Sequence, residues 1–162
     1  MLIRKAEAQW KGNLMQGSGR LTVGSGAIDV PYSLKSRLQD GQSATNPEEL
    51  LGAAHAGCFT MALAAQLSGV GFAPNDLDTV AKVSFEKLGD NFQITRIELE
   101  TSGDVPGIDQ ATFEALATEA KRNCPVSKAL AATEIKMKAT LRQAENPPAA
   151  GSREAADVAA HS

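Results

Sequence analysis

The chain holds two cysteines, Cys58 and Cys124, and they sit in opposite surroundings. Cys58 lies inside "NPEELLGAAHAGCFTMALAAQL", an apolar run where a thiol behaves as a small hydrophobe. Burial of that kind raises a thiol's pKa and leaves it inert. Cys124, in "KRNCPVSKAL", precedes a proline suited to a helix start, where free backbone N–H groups and the helix dipole favour a thiolate. Lys121 and Arg122 add positive charge beside it. Cys58 therefore needs a cation to become a nucleophile. Arg37, in "SLKSRLQDGQSATNPEE", is the candidate, on a loop feeding the helix, with Glu48 placed to hold its guanidinium. His55, three residues before Cys58, is expected to be a hydrogen-bonded core histidine. A metal module of His55, Cys58 and Cys124 has too few ligands for a structural zinc. Asp76, Asp104 and Asp109 read as turn or cap residues.

The elements that must position these groups follow from pattern. Asn46 can cap a helix with Pro47 at its first position and Glu49 as the acid of a capping box. From Leu50 to Leu67 small and apolar residues cover almost the whole circumference, so the helix is expected to be buried on every side. It is short for a span of roughly 20 apolar residues, contains His55 and is flanked by acids, which argues against a membrane. "LIRKAEAQW" and the stretch from Gly19 to Leu34, broken at glycine-rich turns, predict an N-terminal antiparallel sheet. "TVAKVSFEKL" and "NFQITRIELETS" alternate as strands across "GD", and "IDQATFEALATEAKRN" has helical spacing. "CPVSKALAA" reads as a short helix opened by Pro125, and "TEIKMKATLR" as a last strand.

The 162 residues, 43% of them hydrophobic, with a formal net charge of -3, describe an ordinary soluble globular protein, read as a single domain over residues 1–142. Residues 143–162 lack apolar periodicity and are expected to form a disordered tail. No basic stripe or aromatic platform suggests a nucleic-acid partner. The N-terminus lacks a signal-peptide pattern, which points to a cytoplasmic protein whose cysteines are reactive instead of permanently bridged.

Glu48 and Cys58 stand about 15 Å apart along a straight helix at roughly 1.5 Å per residue, so they cannot meet within one chain's helix. Two copies crossing antiparallel near Ala53 would bring them together, the small residues Gly52, Ala53, Ala56 and Gly57 permitting close approach. A homodimer with active sites at its interface is therefore expected; the alternative is that these small residues accommodate a sheet of the same chain.

"NPEELLGAAHAGCFTMAL", then "VPGID" and "NCPVSKAL", with an arginine upstream, closely resembles the OsmC/Ohr family of thiol-dependent peroxidases, the OsmC branch above all. The likeness runs from about Gln9 to Leu141. It implies an α+β fold with antiparallel sheets around long central helices, an intertwined homodimer, and reduction of organic hydroperoxides more readily than hydrogen peroxide. By position the family's peroxidatic cysteine falls on Cys58, its resolving cysteine on Cys124, and its arginine and glutamate on Arg37 and Glu48. The cycle this implies needs no cofactor beyond an external dithiol such as a lipoyl-bearing protein, and its Cys58–Cys124 disulfide guards against overoxidation. Phe59 and Met61 are expected to favour an alkyl hydroperoxide tail. The rival from another class is a thiol sensor that reacts once without turnover.

Overall fold

The computed structural model describes residues 1–39 and 41–142. The tail expected from Gln143 lies outside the described residues. Strands β1 (Ala6–Lys11), β2 (Ser18–Val23) and β3 (Asp29–Tyr32) form an antiparallel sheet in the order β1-β2-β3. Helices α1 (Leu34–Leu38) and α2 (Pro47–Gly69) follow, then β4 (Asp76–Leu88), β5 (Asn91–Asp104), α3 (Gln110–Asn123), α4 (Pro125–Ala129) and β6 (Glu134–Leu141).

The second sheet, β4-β5-β6, corrects the expectation of purely antiparallel sheets. β4 and β5 pair antiparallel, but β6 lies parallel to β5, with Ile97 opposite Ile135 and Leu99 opposite Met137. The reason is topological: α3 and α4 intervene, and a helical crossover returns the chain in its original direction. Along β5, Ile97, Leu99, Thr101 and Gly103 are buried at every second position, the period of a strand covered on one face. The cover is helical. Phe59, Leu63 and Leu67 of α2 meet Phe113, Ala117 and Ala120 of α3, with Leu99, Ala139 and Cys124 in the same core.

Helix α2 starts where the sequence places it, the Asn46 side chain accepting from Glu49 N at 2.8 Å. The reciprocal half of the capping box is absent, because the Glu49 carboxylate instead accepts from Thr45 Oγ1 at 3.1 Å. A larger correction concerns burial. α2 is not enclosed on every side: its buried residues are Glu48, Gly52, His55, Phe59, Leu63 and Leu67, one stripe at helical spacing. Ala53, Ala54, Gly57 and Ala65 are exposed, and Met61 is 75% exposed. By length and composition α2 would pass as a membrane span, yet Glu48 and His55 lie on its protein-facing stripe. The first sheet is similarly bare, β1 having five exposed residues and only Trp10 half-buried.

Asp109 caps α3 as expected, accepting from Thr112 N at 2.7 Å, but Asp76 and Asp104 are not turn or cap residues: they face each other as the end residues of β4 and β5, where Asp104 accepts from Asn75 and Asp76 pairs with Arg142. Gly103 sits where β4 and α3 both close tightly on β5. A Cβ there would come within 2.6 Å of Leu77 Cδ2 and 3.0 Å of Phe113 Cζ. Gly103→Ala is therefore expected to destabilise the fold by about 1–3 kcal/mol, read from urea midpoints at one fixed protein concentration.

Candidate active site

Four side chains singled out from sequence form two pairs. The first is built at the start of α2. Arg37 lies on α1, not on a loop as expected, because Ser33 and Ser36 close a capping box that makes one short helical turn. The buried Ser36 hydroxyl donates to Thr45 O at 2.8 Å and ties α1 to the entry of α2. From that anchor Arg37 Nε donates to Glu48 Oε1 at 3.1 Å and to Oε2 at 3.2 Å, while Nη2 donates to Oε1 at 2.7 Å. The guanidinium also lies over the Phe85 ring of β4, 4.4 Å from its centroid. Glu48 is only 8% exposed, so its carboxylate is desolvated and depends on this partner. The result is a fixed cation whose position is set by two helices and a strand.

The second pair lies further along α2. Cys58 and Cys124 are both free thiols, with sulfurs in contact at 3.2 Å. α2 presents Cys58, half-buried, and the break between α3 and α4 presents Cys124, which has no exposed surface. Cys124 is both the last cap of α3 and the first of α4, so Pro125 fixes the turn that delivers its side chain to α2. Burial pushes the Cys58 thiol up, opposed in part by the Val126 backbone N–H. Burial acts on Cys124 in the same direction but is outweighed by the Ser127 backbone N–H, by Cys58 and by the Ser127 side chain, which hold it below the usual thiol range. One chain by itself thus favours the thiolate on Cys124, and among the described residues no Lys or Arg acts to lower the Cys58 thiol.

The two pairs do not meet within one chain, since Glu48 and Cys58 are about 15 Å apart along α2. His55 is fully buried and its Nε2 lies 2.8 Å from Ser127 Oγ, the hydrogen-bonded core position expected of it. Among the described residues no three His, Cys, Asp or Glu side chains converge as metal ligands would. Phe59 corrects the expectation of a substrate-lining residue: it is a core side chain with no exposure. The apolar surface beside Arg37 comes instead from Trp10, Leu14, Tyr32, Leu34 and Pro47, which line a groove of about 280 Å³.

Sequence reasoning missed two neighbours of these pairs. Phe85 gave no signal, because an aromatic in a strand reads as core until α1 is placed over it. Ser127 did give one: it stands three residues after Cys124, at the third position of α4, the spacing at which a side chain reaches back towards a helix cap.

Residues 39–140 match the model of a family described as OsmC-like protein. The chain is 45% identical over 130 residues to Peroxiredoxin OsmC of Escherichia coli, covering 80% of this chain and 90% of that protein. It is 31% identical over 113 residues to an organic hydroperoxide resistance protein of Xanthomonas axonopodis pv. citri, covering 68% of this chain and 78% of that protein. Its structure is similar to that of the organic hydroperoxide resistance protein OhrB of Bacillus subtilis, with a TM-score of 0.65, 26% identity, and coverage of 85% of this chain and 98% of the other.

Proposed function

The chain belongs to the OsmC-like family, and on that premise we propose that it is a thiol peroxidase that reduces organic hydroperoxides to alcohols at the expense of a dithiol. The observation that carries the reading is the 3.2 Å contact between two free thiols, one accessible and one enclosed. A disulfide of about 2.05 Å then requires an approach of only about 1 Å.

In this reading the Cys58 thiolate attacks one oxygen of the peroxide bond. The O–O bond breaks, the other oxygen leaves and is protonated as the alcohol, and Cys58 becomes a sulfenic acid. Cys124 attacks that sulfur, water departs, and the Cys58–Cys124 disulfide stores the oxidation until an external dithiol, such as a lipoyl group, removes it. Arg37 stabilises the Cys58 thiolate and the charge developing on the leaving oxygen, and Glu48 keeps the guanidinium in place.

Since each chain holds these pairs at separate points of α2, the complete site requires a second copy. The reading is supported by the uncovered stripe of Ala53, Ala54, Gly57, Met61 and Ala65, and by a first sheet that covers little of itself. A three-stranded sheet needs a packed face to be stable. Two α2 helices crossing antiparallel near Ala53 would cover these surfaces and carry the Arg37–Glu48 end of one chain to Cys58 of the other. The groove beside Arg37 would then receive the apolar tail of the hydroperoxide. A cytoplasmic location, where dithiols stay reduced, suits the cycle.

With cumene hydroperoxide and excess dihydrolipoamide, the wild-type protein is expected to turn over many times, and Cys124→Ser to lose sustained turnover by at least about tenfold. Consumption of a single equivalent by the wild type, with dithiol present, would instead make the protein a one-shot thiol sensor.

A further inference from the structure

The enclosed sulfur of the pair has its own polar support, and the cysteine chemistry described so far makes no use of it. His55 has no exposed surface and makes a single hydrogen bond, at 2.8 Å, to Ser127 Oγ. Its other ring nitrogen, Nδ1, is buried without a partner among the described residues. An unpaired buried N–H is rarer and costlier than an unpaired lone pair, so the proton belongs on Nε2. His55 then donates to Ser127, and the single hydroxyl proton of Ser127 is free to be donated elsewhere. Ser127 occupies the third position of α4, the helix that Cys124 caps, and the Cys124 backbone N–H is already taken by Ala120 O at 2.8 Å.

We propose that His55 and Ser127 form a fixed donor chain, His55 Nε2–H to Ser127 Oγ and Ser127 Oγ–H to the Cys124 sulfur, that makes Cys124 the better thiolate of the pair. Both are positioning residues acting through Cys124. The proposal rests on the reading of Cys124 as the resolving thiol. The titratable and charged groups near the chain include Cys58 of α2, Lys128 beside Ser127 on α4, and Arg122 and Lys121 of α3, the last donating its ammonium to Ile135 O of β6. Burial, and then Lys121, push the His55 pKa down, which keeps the imidazole neutral and its Nε2 proton in place.

A stabilised Cys124 thiolate serves both halves of the cycle. It is the attacking nucleophile when Cys58 is a sulfenic acid, with water as the departing product. It is also the leaving group when the disulfide is reduced, because the less basic thiolate leaves faster. Cys124 is enclosed and Cys58 half-buried, so the thiolate of the external dithiol attacks the Cys58 sulfur. The S–S bond breaks and its electron pair stays on Cys124. The second thiol of the reductant then displaces Cys58, leaving two protein thiols and an oxidised dithiol.

The test is a thiolate titration at 240 nm in the Cys58→Ser background, where Cys124 is the one remaining cysteine, with the Cys58→Ser, Cys124→Ser protein subtracted to remove the single tyrosine. Adding Ser127→Ala is expected to raise the Cys124 midpoint by about one pH unit, about tenfold less thiolate at a fixed pH below it. Ser127→Thr should restore the midpoint. His55→Gln, whose amide keeps a donor where Nε2 stood, should stay close to the parent, and His55→Leu should rise. An unmoved midpoint in Ser127→Ala, or equal shifts in His55→Gln and His55→Leu, would overturn the proposal. So would an Nδ1–H tautomer in nitrogen NMR of the unsubstituted protein, a readout that survives if His55→Leu does not fold. The titration uses no peroxide, so a protein with no turnover but with these shifts would sink the peroxidase reading alone.

Discussion

Cys58→Ser is expected to bring hydroperoxide consumption down to the uncatalysed background, a loss of more than about 10³-fold, the scale on which removal of a nucleophile is read in other enzymes. The choice of Cys58 over Cys124 has to be argued, because within one chain it is Cys124 whose thiol is held low and Cys58 whose thiol is pushed up by burial. Access decides between them. Cys124 has no exposed surface, so a peroxide has no open path to its sulfur. Cys58 is half-buried on a helix whose neighbouring face is bare. If this ordering is right, stopped-flow mixing with cumene hydroperoxide in the absence of reductant should leave Cys124→Ser with a fast first equivalent and Cys58→Ser with none. A fast first equivalent in Cys58→Ser would assign the nucleophile to Cys124 and reverse the roles.

How much of this was legible in sequence depends on the reach of each interaction. The start of α2 was readable because capping is local: Asn46, Pro47 and Glu49 lie within four residues. The full burial assigned to that helix was wrong for one chain, where a single stripe is buried, since an apolar circumference does not say how much of it the chain's own elements cover. The parallel placement of β6 was invisible to alternation, which reports which face of a strand is buried but not the direction of its neighbour. The one-turn helix carrying Arg37 has no periodicity to detect; it exists because Ser33 and Ser36 cap each other and Ser36 reaches Thr45. At the candidate site, paired motifs named Cys58, Cys124, Arg37 and Glu48, while Phe85 became visible only when α1 met β4, and the spacing of Ser127 from Cys124 gained meaning only when α4 met α2.

Arg37→Ala is expected to lower the rate of Cys58 oxidation by about 10²–10³-fold, the usual effect of removing one preorganised donor from developing charge. The sign of the accompanying pH change is fixed. Loss of a cation beside a thiolate raises the thiol's pKa, so the rise of rate with pH should move to higher pH in the variant. Neither result says from which chain the arginine comes, and a mixture does. Arg37→Ala chains keep Cys58, and Cys58→Ser chains keep Arg37. If each site joins Cys58 of one chain to Arg37 of the other, co-refolding equal amounts gives half heterodimers, each with one intact and one doubly impaired site, and about a quarter of wild-type activity returns from two inactive parents. If both residues served Cys58 within one chain, no mixture could restore a site, and activity would stay at the parental background. The separation of the Arg37–Glu48 pair from the Cys58–Cys124 pair by about 15 Å of helix favours the first outcome. In the proposed dimer the composition of α2 has a purpose: Gly57 and the alanines on its open stripe would let two backbones approach closely where larger side chains would hold the cation away from the sulfur.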